Sequence, residues 1–164
     1  MGSKRAINLL RNRNAKHPMV ANVDGMTSLY PNGTSAKTAN FTAAAGYVYL
    51  ITKLDGCAVT LPAITRVGDR IKLVFGGATS NSHTVTADAT TTLFNGYALM
   101  QDTADGTAAA YEVFAPDGSD DDVITLNRTT TGVAGVIELV ATASNRWFVE
   151  ALLHSSGDAA TPFG

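Results

Sequence analysis

The chain has 164 residues, 45% of them hydrophobic and 16% charged, and a formal net charge of −2. This length and composition suit one folded domain with an additional arm, and they exclude wholesale disorder. The single cysteine excludes an intramolecular disulfide framework and a cysteine-rich zinc site, and no apolar run reaches the length of a membrane span.

The N-terminal segment concentrates positive charge. Residues 1–16 contain five basic side chains and no acidic one, whereas from Asp24 onward seven basic and fourteen acidic residues give −7. We therefore predict a basic arm over residues 1–18, followed by an acidic body. The arm lacks the apolar stretch of a secretory signal. A short helix capped by Ser3 would be marginal in water by itself, so we expect the arm to become ordered against a partner.

The arm is predicted to bind a protein surface. Arginine side chains donate bidentate hydrogen bonds, and apolar anchors add burial. Nucleic acid fits less well, because the arm has no aromatic residue to stack on bases and an acidic body repels a duplex. The alternative to a binding segment is a disordered, solvated tail without a partner. The predicted contact residues of the arm are Lys4, Arg5, Ile7, Leu10, Arg11, Arg13 and Lys16.

A turn-rich linker is predicted over residues 19–37, where Pro31-Asn32-Gly33 is a typical turn sequence. The first predicted strands of the body follow. Tyr47–Thr52 and Cys57–Leu61 are rich in residues typical of strands. Asp55-Gly56 lies between them and predicts a β-hairpin.

The remaining body continues the β pattern. Arg70–Phe75 alternates, which places Ile71, Leu73 and Phe75 on a buried face. About nine short strands separated by turns predict an all-β fold, an antiparallel β-sandwich or jelly-roll-like domain over residues 38–154. Residues 155–164 are small and polar and are predicted to form a loose C-terminal tail. The six further strands are predicted at His83–Ala87, Tyr97–Met100, Tyr111–Phe114, Val123–Leu126, Val136–Thr142 and Trp147–Leu153.

The sequence shows no catalytic apparatus. No histidine accompanies a glycine-flanked serine, and Cys57 lies in an apolar strand, where a small core residue is expected. His83 alternates with Val85 and is predicted to be a structural imidazole. The single tryptophan, Trp147, is predicted to be a core or interface anchor rather than a platform for sugar. We expect no enzymatic activity, no catalytic residue and no cofactor.

Acidic residues were weighed as metal ligands and as a catalytic pair. Asp117-Gly118-Ser119-Asp120-Asp121-Asp122 lacks the order of a calcium-binding EF-hand loop, so a solvated hairpin tip without a metal is predicted, with an ion at Asp120–Asp122 left open. Glu112, Glu138 and Glu150 lie at positions of alternating strands that are expected to face solvent. Charges there discourage edge-to-edge aggregation more simply than they form a hydrolytic pair.

Three segments carry a family resemblance. They are the strand Tyr47–Thr52 followed by Val59-Thr60-Leu61-Pro62-Ala63, the strand Val67-Gly68-Asp69-Arg70-Ile71-Lys72-Leu73-Val74-Phe75, and the closing Ala143-Ser144-Asn145-Arg146-Trp147-Phe148-Val149. In this order, with threonine-rich, alanine-rich and glycine-rich sequence between them, they resemble small structural proteins of tailed bacteriophages, especially marine and cyanobacterial ones. The most similar group is the head decoration (cement) proteins. The resemblance covers residues 38–153, and the basic arm lies outside it.

The resemblance implies a structural virion protein. Such a protein binds the outer surface of the capsid as a symmetric homo-oligomer, and a trimer is favoured over a dimer. The major capsid protein is then the expected partner, with no nucleic acid and no membrane. The arm would contact the major capsid protein or a neighbouring protomer. The alternative is a receptor-binding or glycan-binding module of a phage tail fibre or spike.

Overall fold

A computed structural model describes residues 30–76, 81–102, 110–127, 130 and 134–164. These residues contain eleven strands and no helix, so the all-β prediction is confirmed. The basic arm and its seven predicted contact residues lie outside the described residues. The strands are β1 Gly33–Lys37, β2 Phe41–Thr42, β3 Tyr47–Ile51, β4 Ala58–Thr60, β5 Arg70–Phe75, β6 His83–Thr86, β7 Leu93–Asp102, β8 Ala110–Phe114, β9 Val123–Leu126, β10 Ala134–Ala143 and β11 Arg146–His154.

The first six strands alternate between two sheets. β1, β3 and β5 are parallel neighbours in a seven-stranded sheet, and β2, β4 and β6 are parallel neighbours in a four-stranded sheet. Parallel neighbours need a crossover connection, which is usually a helix. In this chain the crossover from one strand to its parallel neighbour is a short strand of the opposite sheet.

The later strands complete both sheets with antiparallel and parallel pairs. The seven-stranded sheet has the order β1-β3-β5-β10-β11-β7-β8, and the four-stranded sheet has the order β2-β4-β6-β9. β10 is antiparallel to β5 and to β11, while β11 is parallel to β7. β8 and β9 lie at sheet edges, antiparallel to β7 and to β6.

The expectation of antiparallel pairing throughout is not met, because both sheets are mixed. The hairpin predicted at Asp55-Gly56 is wrong for the same reason. β3 and β4 lie in different sheets, and the turn carries the chain from one sheet to the other. Within the predicted linker, Gly33–Lys37 forms β1, so the seven-stranded sheet begins before residue 38. The turn predicted at Pro31-Asn32-Gly33 is present, with the Gly33 amide donating to the Tyr30 carbonyl.

The inner faces of the two sheets share one apolar core. Ile71, Leu73 and Phe75 of β5 are buried, as their alternation predicts. Val85 and Ile124 contribute to the same core from the four-stranded sheet. Because one side of each sheet is used in this core, the opposite side of the seven-stranded sheet is left as a separate surface.

The C-terminal tail is packed, which corrects the prediction that it is loose. The amide of Val123 donates to the Gly164 carbonyl at 2.8 Å, and the amide of Thr125 donates to the Pro162 carbonyl at 2.8 Å. Phe163 is 8% exposed and belongs to the core. β9 lies at the edge of the four-stranded sheet, so one side of its backbone has no neighbouring strand to pair with. Residues 162–164 form the backbone hydrogen bonds on that side.

Replacing Phe163 by alanine is therefore expected to destabilise the protein by about 3 kcal/mol, because a largely buried aromatic ring is lost. Urea unfolding followed by tryptophan fluorescence measures the change. Asp158→Ala is the matched control in the same tail, since Asp158 is exposed, and its effect should stay within about 0.5 kcal/mol. Equal effects of the two substitutions would contradict the packed tail.

Candidate functional site

Cys57, His83 and Trp147, three residues that were considered as possible reactive or binding groups, lie in the core. Cys57 and His83 are fully buried, and the Cys57 amide donates to Nδ1 of His83 at 2.9 Å. Burial raises the pKa of the Cys57 thiol, which makes it a poor nucleophile. Trp147 is also buried, as predicted. These three side chains therefore hold the fold and face no open surface.

The acidic loop before β9 is held by its own carboxylates. Oxygen atoms of Asp117, Asp120 and Asp121 lie within 4.8 Å of one another, a spacing that a cation can bridge. However, the buried Asp121 carboxylate accepts the amides of Asp117 and Gly118. Hydrogen bonds from the hydroxyl and amide of Ser119 lower the pKa of Asp117. These hydrogen bonds stabilise the loop. β8 and β9, on either side of it, lie in different sheets, so the loop is not the hairpin tip that the sequence predicted.

The seven-stranded sheet has an outer face, which is the side turned away from the core. Side chains alternate along β11, so that Phe148, Glu150 and Leu152 point outward between buried neighbours. One row of residues, directly paired from strand to strand, crosses this face. We call it the apolar row, and it consists of Ala36, Leu50, Val74, Val136, Leu152, Leu99 and Val113.

The apolar row is long, and its side chains are exposed or half-buried. Seven strands at about 4.8 Å spacing make it roughly 29 Å wide. Leu152 is 55% exposed and Val113 is 65% exposed, and the exposed ring of Tyr111 lies beside the row on β8. A shallow cavity of about 330 Å³ opens where β10, β11, β7 and β8 meet, lined by Leu99, Gln101, Tyr111, Ala134, Leu152 and His154. Contiguous apolar surface of this kind is typical of a protein interaction site.

A charged row lies beside the apolar row, two residues away along each strand. Three charged side chains and one tyrosine form it, and each is paired with the next across neighbouring strands. They are Lys72, Glu138, Glu150 and Tyr97. Nζ of Lys72 lies 3.0 Å from Oε1 of Glu138, and the Tyr97 hydroxyl donates to Oε1 of Glu150 at 2.8 Å. The outer face thus has an apolar half and a charged half.

The carboxylate of Glu138 is the best-connected group of the charged row. It accepts hydrogen bonds from the Tyr30 hydroxyl at 2.8 Å and from Lys72 at 3.0 Å. Partial burial acts to raise the pKa of Glu138, but the hydrogen bonds and the charges of Lys72 and Arg70 outweigh it, so the pKa is lowered. Burial, followed by the bond to Glu138, raises the pKa of Tyr30.

This shift makes stability depend on pH. A carboxylate whose pKa is lower in the folded state stabilises the protein above its unfolded pKa, and this contribution is lost as pH falls. Glu138→Gln should therefore destabilise the protein near neutral pH by at most about 1 kcal/mol, since a third of the side chain is exposed and solvent screens the pair. The difference from the wild type should shrink as pH falls through the acidic range.

Urea unfolding at several pH values measures this difference. Glu112→Gln, on the edge strand β8, is the control, because it also removes one exposed carboxylate. A difference between Glu138→Gln and wild type that grows towards acidic pH would contradict the assigned contacts.

The three glutamates that were predicted to face solvent differ in their surroundings. Glu112 is exposed on β8, Glu150 is exposed on the outer face, and Glu138 is half-buried beneath Tyr30 and Lys72. Glu138 and Glu150 are paired directly across β10 and β11, so two of the three glutamates that were weighed as a pair do lie side by side, whereas Glu112 lies on the edge strand β8. The signal for the outer face is present in the sequence, since β11 carries apolar residues at both of its alternating sets of positions.

Comparison with known proteins adds no family: no family model matches the sequence, and no curated protein matches it. Among the residues that the structure describes, no helix has the length and apolar character of a membrane span. The features that bear on function are therefore the outer face, the predicted basic arm and the resemblance of residues 38–153 to structural proteins of tailed bacteriophages.

Proposed function

We propose that the protein is a structural virion protein that binds the outside of a phage capsid and stabilises the shell. The single observation that carries the proposal is the apolar row, a continuous apolar stripe on the outer face that crosses seven strands. The resemblance to head decoration proteins supports the identity of the partner, the major capsid protein. In this proposal the body is a two-sheet sandwich whose outer face meets the shell.

The physical mechanism is preferential binding to the assembled lattice. A protein that binds across a joint between shell subunits only after assembly stabilises the lattice by mass action. Single exposed ion pairs contribute about 0.2–1 kcal/mol each, so charges alone are too weak. Burial of the apolar row, with arms that contact the major capsid protein or a neighbouring protomer, supplies the larger contribution. In a homo-oligomer, for which we favour a trimer, simultaneous engagement multiplies the effect.

Leu152→Asp tests this use of the apolar row. Leu152 lies on β11, an inner strand of the seven-stranded sheet, and is 55% exposed. A charge at such a central interface position is expected to weaken binding to capsids about 30-fold or more. Binding is measured by co-sedimentation with capsids that lack the protein. Thermal unfolding should show that the variant remains folded.

Val67→Asp is the matched control. Val67 is 62% exposed but lies in the turn before β5, outside the outer face. The proposal expects near wild-type binding from this variant. Full binding by Leu152→Asp, or equal losses in both variants, would count against the apolar row as the capsid contact.

A second candidate is a receptor-binding or glycan-binding module of a tail fibre or spike. One observation favours it: exposed Tyr111 lies beside Gln101 and His154 at the cavity of about 330 Å³, and aromatic and polar groups of this kind bind sugars. A glycan array with the purified protein discriminates between the two. A clear saccharide hit that Tyr111→Ala abolishes would establish the second function in place of the first.

A further inference from the structure

We propose that the charged half of the outer face binds the basic arm of this chain, with the Glu150 carboxylate receiving an arginine from residues 1–16. The inference rests on the proposed role of the arm as a contact segment, and it names the surface that the arm contacts. It concerns a different part of the face from the apolar row, so both surfaces can be occupied together.

Among the residues that the structure describes, no cation is paired with the Glu150 carboxylate. Its only hydrogen-bond donor in the described part of the chain is the Tyr97 hydroxyl, at 2.8 Å, and neither ion pair found there includes it. Glu138, directly opposite on β10, is instead bonded to both Lys72 and Tyr30. A guanidinium group can bind the exposed Glu150 carboxylate through two parallel hydrogen bonds.

Two aromatic rings stand next to this carboxylate. The rings of Tyr97 and Phe148 have their centroids 6.4 Å apart at an interplanar angle of 80°, and Phe148 is 38% exposed. Arginine is attracted to aromatic faces as well as to carboxylates. The combination of Glu150 with these rings fits an arginine side chain better than a lysine side chain, whose charge is compact and strongly hydrated.

The adjoining cavity has room for an apolar residue of the arm. It measures about 320 Å³ and is lined by Arg70, Glu138, Val140, Thr142, Phe148 and Glu150. Val140 and Phe148, paired across β10 and β11, give it an apolar wall. Arg70 lies on its β5 side, so a cation of the arm is directed towards the Glu150 side. Ile7 or Leu10 can cover the apolar wall while a neighbouring arginine pairs with Glu150.

The first residue that the structure describes, Tyr30, lies next to this surface. Its hydroxyl donates a hydrogen bond to Glu138, and Glu138 is paired with Glu150 across β10 and β11. Seventeen residue steps separate Arg13 from Tyr30, enough to span about 55 Å when extended. The arm can therefore reach Glu150 of its own chain or of a neighbouring copy. Its five basic residues without an acidic one complement a body of net charge −7.

Site-specific photo-crosslinking tests the proposal in the full chain without capsids. A photoreactive amino acid replaces Leu10, and mass spectrometry identifies the peptides to which it becomes linked. We expect links to the segments of β10 and β11 that contain Val140 and Phe148. Links within one chain or between two chains support the proposal equally. Glu150→Lys should lower the yield about fivefold, and added salt should lower the wild-type yield.

Two further variants separate local charge from general effects. Glu150→Gln keeps an acceptor for Tyr97 and should reduce the yield in the same direction but less. Glu112→Lys makes the same charge change on β8 and should leave the yield unchanged. Links spread over other surfaces, a yield insensitive to Glu150→Lys, or an equal loss with Glu112→Lys would overturn the inference. Because no capsid is present, failure of capsid binding leaves this result unaffected.

Discussion

Gly96→Ala is expected to abolish stable folding or to lower stability by at least about 4 kcal/mol. Gly96 lies in β7 directly opposite Val149 of β11, with a φ of 110°. A Cβ atom there would collide with the carbonyl oxygen and the amide nitrogen of Val149, which belong to the backbone and cannot rotate away. The positive φ adds strain of its own for an L-residue.

This collision would push β7 away from β11, and the pairing of these two strands is what attaches β7 and β8 to the rest of the sheet. Differential scanning calorimetry should show a melting temperature lower by about 10 °C or more, if the variant folds at all. Gly68→Ala is the matched control, since Gly68 also has a positive φ, 93°, but an added Cβ would meet no atom of the described residues within 4 Å. Its expected cost is about 1–2 kcal/mol. Equal melting temperatures for the two variants would contradict the close approach at Gly96.

Deleting residues 1–17 is expected to leave a folded body that no longer binds capsids. The deleted segment carries five basic and several apolar residues, including Ile7 and Leu10, and these supply the contacts of the arm in the proposed function. In an oligomer two or three arms engage together, so their joint removal costs more than the sum suggested by single ion pairs.

Occupancy is measured by incubating capsids with the full chain or the truncated chain and quantifying bound protein after sedimentation. A variant in which Arg11 and Arg13 become glutamine separates charge from length, and it should lose part of the binding. Undiminished occupancy by the truncated chain would contradict the role of the arm.

Strand positions could be predicted from the sequence because side chains alternate with a period of two. β5 matches its predicted bounds, Arg70–Phe75, and the buried set Ile71, Leu73 and Phe75 follows from the alternation. β1 and β2 could not be predicted in this way, because neither contains a buried side chain that would create the pattern.

Strand pairing could not be predicted, because it depends on which strands share a sheet. Asp55-Gly56 has the composition of a hairpin turn, yet β3 pairs with β1 and β5, which are distant in the sequence. The docking of the C-terminal tail is likewise non-local. Phe163 stands among small residues, and its burial depends on the free edge of β9.

The candidate site likewise has one part that the sequence predicts and one part that it does not. Composition predicts the basic arm, whose residues lie outside the described structure, so their roles stay predictions. The outer face required the register of all seven strands, since Leu152, Leu99 and Val113 become neighbours only through the pairing of β11, β7 and β8. The local signal was that Phe148 and Leu152 are apolar at positions that alternate with buried Trp147, Val149 and Ala151. A strand that is apolar on both sides is typical of one covered on both faces.

The most direct test of the proposed function is the copy number of this protein on purified virions, measured by quantitative mass spectrometry relative to the major capsid protein. The proposal predicts a ratio near one copy per shell subunit, with the protein accessible to labelling on the outer capsid surface. A ratio of only a few copies per virion would contradict capsid decoration and would place the protein in the tail.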